Sequence, residues 1–87
     1  MAWRIEIKAS AAKEIAALPR REQRRVVRAI ESLADDPRPA GARKLVGGED
    51  AYRVRAGDYR IIYQILDKVL VVHVVRVGHR RDVYPRG

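Results

Sequence analysis

Polar and apolar residues alternate over residues 2–8, with Trp3, Ile5 and Ile7 on one side and Arg4, Glu6 and Lys8 on the other. A period of two marks a half-buried strand. The period then changes. Ala11, Ile15 and Leu18 recur at helical spacing behind Ser10, a good N-cap residue, and predict a short amphipathic helix. Pro19 ends that helix or opens the next. A second helix is predicted from about Arg20 to Ala34, with Val26, Val27, Ile30, Leu33 and Ala34 as its buried stripe. Its opposite side gathers Arg21, Arg24, Arg25 and Arg28 at i, i+3, i+4 and i+7. Two such helices form an αα-hairpin that can lie across a sheet.

Asp35-Asp36-Pro37-Arg38-Pro39-Ala40-Gly41 is a cluster of helix and strand breakers, so residues 35–48 read as a connecting loop. Two strongly β-prone runs follow, Tyr52 to Ala56 and Tyr59 to Tyr63, separated by Gly57-Asp58. That dipeptide suits a two-residue hairpin turn. The register then sets Ala56 opposite Tyr59, Arg55 opposite Arg60, Val54 opposite Ile61 and Tyr52 opposite Tyr63. Opposed residues share a face, so Tyr52, Val54, Ile61 and Tyr63 lie on one side and Arg53, Arg55, Arg60 and Ile62 on the other. Asp67-Lys68 is the next turn. Val69 to Val77 is nearly continuous in β-branched residues, as expected of a central strand covered on both faces; His73 within it is expected to be buried and satisfied. Gly78 stops the run, and a polar segment closes the chain. The expected fold is α+β in the order β-α-α-β-β-β. An antiparallel three- to four-stranded sheet would carry the helical hairpin on one face and expose Arg53, Arg55 and Arg60 on the other.

Opposed arginines repel, and the hairpin accepts that cost. An anion such as phosphate held between them would account for it, as would a solvated face whose arginine stems cover apolar surface. Charge sharpens the question. Nineteen Lys and Arg against eleven Asp and Glu give a net charge of +8, and fifteen of the nineteen are arginine. Such basicity on 87 residues points to nucleic acid or an acidic protein partner. The length fits one domain spanning 1–87. The chain has no cysteine, which excludes disulfides and thiolate metal sites and reads as intracellular. No metal or other cofactor is expected, no run is long enough to span a bilayer, and Arg4, Glu6 and Lys8 interrupt any signal-peptide core. The expectation is a cytoplasmic protein.

Lys44-Leu45, Tyr52-Arg53-Val54-Arg55, Gly57-Asp58-Tyr59-Arg60-Ile61-Ile62-Tyr63 and the ending Val77-Gly78-His79-Arg80 through Tyr84 together resemble the RelE/ParE superfamily of bacterial toxin–antitoxin toxins. The likeness covers essentially the whole chain. The RelE branch is similar to a ribosome-dependent endoribonuclease that cuts mRNA in the decoding site, whereas the ParE branch poisons DNA gyrase by protein contact, without nuclease chemistry. The resemblance implies a basic pair on the first hairpin strand, here Arg53 and Arg55. It also implies an arginine after the turn (Arg60), one near the end of the last strand (Arg80) and a terminal tyrosine (Tyr84). Because this chain keeps that basic-plus-tyrosine set, the resemblance favours a translation-inhibiting mRNA interferase. It further implies an acidic antitoxin, with the ribosome and mRNA as the other partners. Arg53 and Arg55 stand where the branch often has lysines, and an arginine cannot be tuned to shuttle protons.

Metal-independent cleavage of RNA needs the 2′-hydroxyl deprotonated, the phosphate charge stabilised and the leaving 5′-oxygen protonated. Guanidinium groups suit the second task, which falls to Arg60 and Arg80, with Arg53, Arg55, Lys44 and Arg81 as further RNA-binding candidates. Histidine changes charge near neutral pH, so His79 is a candidate for proton transfer. Tyr84 is the other, once neighbouring arginines lower a phenol that ordinarily titrates near ~10. The four arginines of the second helix are either a solvated face or a contact for ribosomal RNA phosphates.

Overall fold

The computed structural model describes residues 3–45 and 50–79. The chain forms β1 (Arg4–Ile7), α1 (Ala9–Ala16), α2 (Arg20–Ser32), β2 (Arg43–Lys44), β3 (Ala51–Ala56), β4 (Tyr59–Leu66), a 3-10 turn (Asp67–Val69) and β5 (Val71–His79). The sheet order is β1-β5-β4-β3-β2. The α+β class and the helical pair on one face follow the sequence pattern; the sheet departs from it.

Five strands are present among the described residues, and the sheet is mixed, because β1 pairs parallel with β5 from Arg4 opposite Val71 to Ile7 opposite Val74. The meander β3-β4-β5 leaves the apolar β5 at an edge, and unpaired edge groups on such a strand invite association. β1 covers that edge, with Arg4 N–H donating to Leu70 O at 2.9 Å and Lys8 N–H to Val74 O at 2.9 Å. At the other edge, Arg43 and Lys44 pair with Arg53 and Tyr52, so the span expected to be a loop over 35–48 contains a short strand. Residues 46–49 lie outside the described part.

Between β3 and β4 the register is the one the Gly57-Asp58 turn dictates, with Arg55 opposite Arg60 and Tyr52 opposite Tyr63. Gly57 alone in the turn takes a positive φ, 64°, the arrangement in which glycine fills the first central position of a type II′ turn. Between β4 and β5 the ladder slips: Ile62 faces Arg76 but Tyr63 faces Val74. Val75 is therefore an extra residue, a β-bulge. The bulge explains the unbroken valine run. Val72 and Val74 face the helices, and after the extra residue so do Val77 and His79, while His73 and Arg76 face outward. β5 is thus not covered on both faces, and His73, expected to be buried, is half-exposed on the outer one.

The core lies between the helices and one sheet face, built from Ala11, Ile15, Val26, Ile30 and Leu33 against Ile61, Tyr63, Ile65, Val72, Val74 and Val77. Trp3, Ile5, Tyr52 and Val54 pack around it. Four local expectations change. α1 begins at Ala9 with Lys8 in the N-cap position, so Ser10 sits in the first turn and caps nothing. Val27 is 39% exposed, because Val26, Ile30 and Leu33 already fill the space under α2. Ile7 is 42% exposed as the last residue of an edge strand. α2 ends at Ser32, two residues earlier than expected, although Ala34 beyond it is still buried.

Two side-chain clamps hold the frame. Buried Tyr63 donates its hydroxyl to Pro37 O at 2.7 Å. Arg38 stacks on the Tyr52 ring at 5.4 Å and pairs with Asp67 at 3.1 Å, which raises the basicity of its guanidinium. Together they pin the 33–42 connection to the sheet.

Candidate nucleic-acid interface

The face of the sheet turned away from the helices is where the hairpin arginines were expected, and the strand registers extend the set. Opposed residues share a face. One row runs Arg43, Arg53, Ile62, Arg76 across β2, β3, β4 and β5. The next runs Arg55, Arg60, Gly78 across β3, β4 and β5. Five arginines from four strands thus occupy two adjacent rows. Directly opposed side chains in such a ladder start only ~5 Å apart at Cβ, so guanidinium groups can converge on one anion.

They differ in exposure. Arg43, Arg55 and Arg76 are exposed and Arg53 is half-buried. Arg60, expected on an open face, is 8% exposed, with Nε and Nη1 shielded from solvent. Its place explains this: Arg60 on β4 has β3 and β5 on either side, whereas β2 pairs with β3 only at Tyr52 and Arg53 and leaves Arg55 a strand on one side alone. Next to Arg60 is Gly78, whose lack of a side chain keeps that row low on the β5 side. Ile62, also buried, floors the row between Arg53 and Arg76.

The upper half of β5 lies beyond the end of β1 and needs another partner for its edge. Glu14 of α1 supplies it: Val77 N–H donates to Glu14 Oε1 at 2.8 Å, and Arg76 Nε stands 3.8 Å from Glu14 Oε2. One carboxylate therefore fixes the strand edge and orients an outer-face arginine.

Of the residues singled out from sequence, Arg53, Arg55 and Arg60 come together. Lys44 pairs with Tyr52 and so points to the helix side of β2, away from Arg43. His79 is opposite Tyr59, with the rings edge-on at 5.9 Å between centroids and 80° between planes, and it too lies on the helix side. Arg80, Arg81 and Tyr84 lie outside the described residues. Arg43 and Arg76 were missed by the sequence reading. Finding Arg43 required seeing that two residues of a loop add to the sheet, and finding Arg76 required the bulge.

Such a face can bind and neutralise a phosphodiester. On this face His73 and Glu6 are opposed to each other at the β1 end, away from the Arg55–Arg60 row. Among the described residues no helix is long and apolar enough to cross a membrane.

The sequence model of a family described as the ParE toxin of the type II toxin–antitoxin system parDE matches residues 5–84. The chain belongs to this family, and with it to the RelE/ParE superfamily. It is similar to a putative RelE-like toxin protein of Escherichia coli, 33% identical over 97% of this chain and 92% of the relative. It is 32% identical, with the same coverage, to the mRNA interferase toxin RelE of Escherichia coli strain K12. Among solved structures, the archaeal RelE–RelB complex from Pyrococcus horikoshii OT3 superimposes with a TM-score of 0.82 and 31% identity, covering 95% of this chain and all of that one. The intact Escherichia coli RelBE toxin–antitoxin complex gives 0.78 and 28% identity, covering 98% and 100%.

Proposed function

We propose that this protein is the toxin of a type II toxin–antitoxin pair and acts in the cytoplasm as a ribosome-dependent mRNA endoribonuclease that stops translation. The observation that carries the reading is the outer sheet face, where Arg43, Arg53, Arg55, Arg60 and Arg76 share two rows. Relatives named mRNA interferase support the choice of RNA over DNA gyrase as target.

The RNA strand crosses the outer face with the scissile phosphate at the Arg55–Arg60 pair. Attack by the 2′-hydroxyl on that phosphate builds a pentavalent phosphorane with more negative charge than the diester. Guanidinium groups fixed in the sheet favour that state over the ground state without reorganising. Buried Arg60 is the better preorganised of the two, and exposed Arg55 can follow the moving phosphate. Arg53, Arg43 and Arg76 hold the flanking phosphates, and Arg80 and Arg81 add charge from the C-terminal segment. The 2′-oxygen then replaces the 5′-oxygen on phosphorus, leaving a cyclic phosphate and a 5′-hydroxyl. Proton transfer is assigned to Tyr84, since the register sets His79 on the opposite face. The neutralising partner is an acidic antitoxin that orders as it wraps the helices and sheet edge; two of the similar structures are complexes of RelE with RelB.

Adding the purified protein to translating ribosomes tests this directly. Primer extension should reveal new mRNA 5′ ends, and Tyr84→Phe and Arg60→Gln should suppress them. Intact mRNA together with gyrase-linked DNA breaks would replace this reading with the gyrase-poison one.

A further inference from the structure

The helix side of the β3 edge carries a second basic feature. Arg20, Arg21, Arg24, Arg25 and Arg28 of α2 and Arg55 of β3 line a cleft of about 650 Å³. Among the described residues none of the six lies within 4.0 Å of a carboxylate. The helix carries these charges at a cost to itself. Arg20 and Arg24, Arg21 and Arg25, and Arg24 and Arg28 are like charges four apart. Arg20 and Arg21 also stand at the positive end of the helix dipole. A bound polyanion would offset every one of these terms.

The floor says which polyanion. It is made of Ala29, Ser32 and Ala56. An acidic helix docking by its apolar face needs pockets for large anchors at i, i+3 and i+4, and a floor this small and flat offers none. Nor does it offer an aromatic ring for bases to stack on. What remains is a row of guanidinium forks, the geometry that matches phosphate. Arg21 and Arg28 are about 10 Å apart along the helix axis, room for two or more successive phosphates.

Arg55 belongs to the cleft and to the outer-face row with Arg60 at once. Arg25 crosses the hairpin turn so closely that a Cβ on Gly57 would meet its Nη1 at 2.5 Å. The cleft and the outer face are therefore one basic surface that bends around the β3–β4 hairpin.

We propose that the cleft holds the phosphate backbone of single-stranded RNA, without sequence preference, as the continuation of a strand that crosses the outer face. The direction of that strand rests on the reading of the outer face given above; binding in the cleft does not. The test is fluorescence anisotropy of the full chain with labelled 4-nucleotide and 12-nucleotide RNA at several salt concentrations, for the native protein and for R21Q/R24Q/R28Q. Arg25 is kept because it packs on the turn, and circular dichroism checks the fold. Affinity for the 12-mer should fall more than tenfold at low salt. The slope of log K against log salt should become shallower by about 2, three contacts at about 0.7 each on a single strand. Arg28→Gln alone should remove about 0.7, and the 4-mer, short enough to be held by the outer face alone, should lose less affinity than the 12-mer in the triple variant. An unchanged slope, or no 12-mer binding by the native protein, overturns the proposal. So does a 12-residue poly-glutamate that binds as tightly as RNA and is lost in the same variant, which would make this a protein-docking face. Tripolyphosphate competing as well as the 12-mer overturns it in favour of a small-anion site. A protein that binds the 12-mer through α2 but leaves ribosome-bound mRNA intact would sink the nuclease reading and keep the track.

Discussion

Arg55 faces Arg60 across the β3–β4 hairpin, one exposed at the tip of its strand and the other buried between two neighbours. The asymmetry separates two tasks that a matched pair would share. Losing Arg55 removes a solvent-facing charge, and substitutions of that kind usually stay within about 0.5 kcal/mol of native stability. Losing Arg60 removes a guanidinium from the interior of the sheet, where ~1–3 kcal/mol is the ordinary cost. Arg60→Gln is therefore expected to lose ~10²-fold in cleavage rate and also to unfold at lower urea. Arg55→Gln should lose rate with its urea midpoint intact. Cleavage of mRNA on translating ribosomes by each variant, alongside urea titration, checks both halves; equal midpoints would mean that Arg60 is not held as the burial indicates.

Ile61 tests the hairpin register itself. It is fully buried opposite Val54 and Val77. Ile61→Ala is expected to cost ~2–5 kcal/mol, a large share of the stability of a domain this size. Its neighbour Ile62, on the outer face, should cost less when truncated. Denaturant titration giving less than half a kcal/mol for Ile61→Ala would place that side chain outside the core.

These residues also show what the sequence made legible. The hairpin is local: twelve residues, a glycine turn and strict alternation set its register, so Arg53, Arg55 and Arg60 group together on sequence grounds alone. Pairings between distant segments could not be read in this way. Nothing near Trp3 to Ile7 says that its partner is Val71 to Val74 and runs parallel, because that choice is made by which edge of the finished meander needs covering. The bulge at Val75 mattered most for the site. Simple alternation through Val72 and Val74 would send Arg76 into the core and leave His79 outside beside Arg60. One extra residue exchanges the two, placing Arg76 in the arginine row and His79 against Tyr59. A bulge leaves no mark in a run of valines, so neither outcome was visible.

Gly57 joins the turn to α2. Its φ of 64° suits glycine, and a methyl group there would press on Arg25. Gly57→Ala is expected to destabilise by ~1–2 kcal/mol, from the backbone and the contact together. In the Arg25→Ala background the contact is gone and only the backbone part should remain. A double-mutant cycle by urea denaturation measures the difference; purely additive effects would mean that Arg25 swings aside freely.

Tyr63 links stability to alkaline pH. Burial pushes its phenol from the ordinary 10.0 up to about 12, while its hydroxyl donates to Pro37 O at 2.7 Å. In the unfolded chain the phenol loses its proton near pH 10, and in the folded chain only near 12. Between those values the folded state binds more protons than the unfolded one, so stability falls as pH rises. The loss is roughly 1–3 kcal/mol over the window, at about 1.36 kcal/mol for each pH unit that separates the two titrations. Tyr63→Phe has no proton to lose. It gives up the hydrogen bond to Pro37, about 1 kcal/mol at pH 8, where the native phenol is protonated in both states. Native protein should therefore be the more stable of the two at pH 8. Its advantage should shrink from pH 10 upward and vanish or reverse near pH 11.5. Urea midpoints of the pair at pH 8, 10 and 11.5 decide the matter; a gap that stays constant across the three would mean that Tyr63 ionises in the folded chain as readily as in the unfolded one.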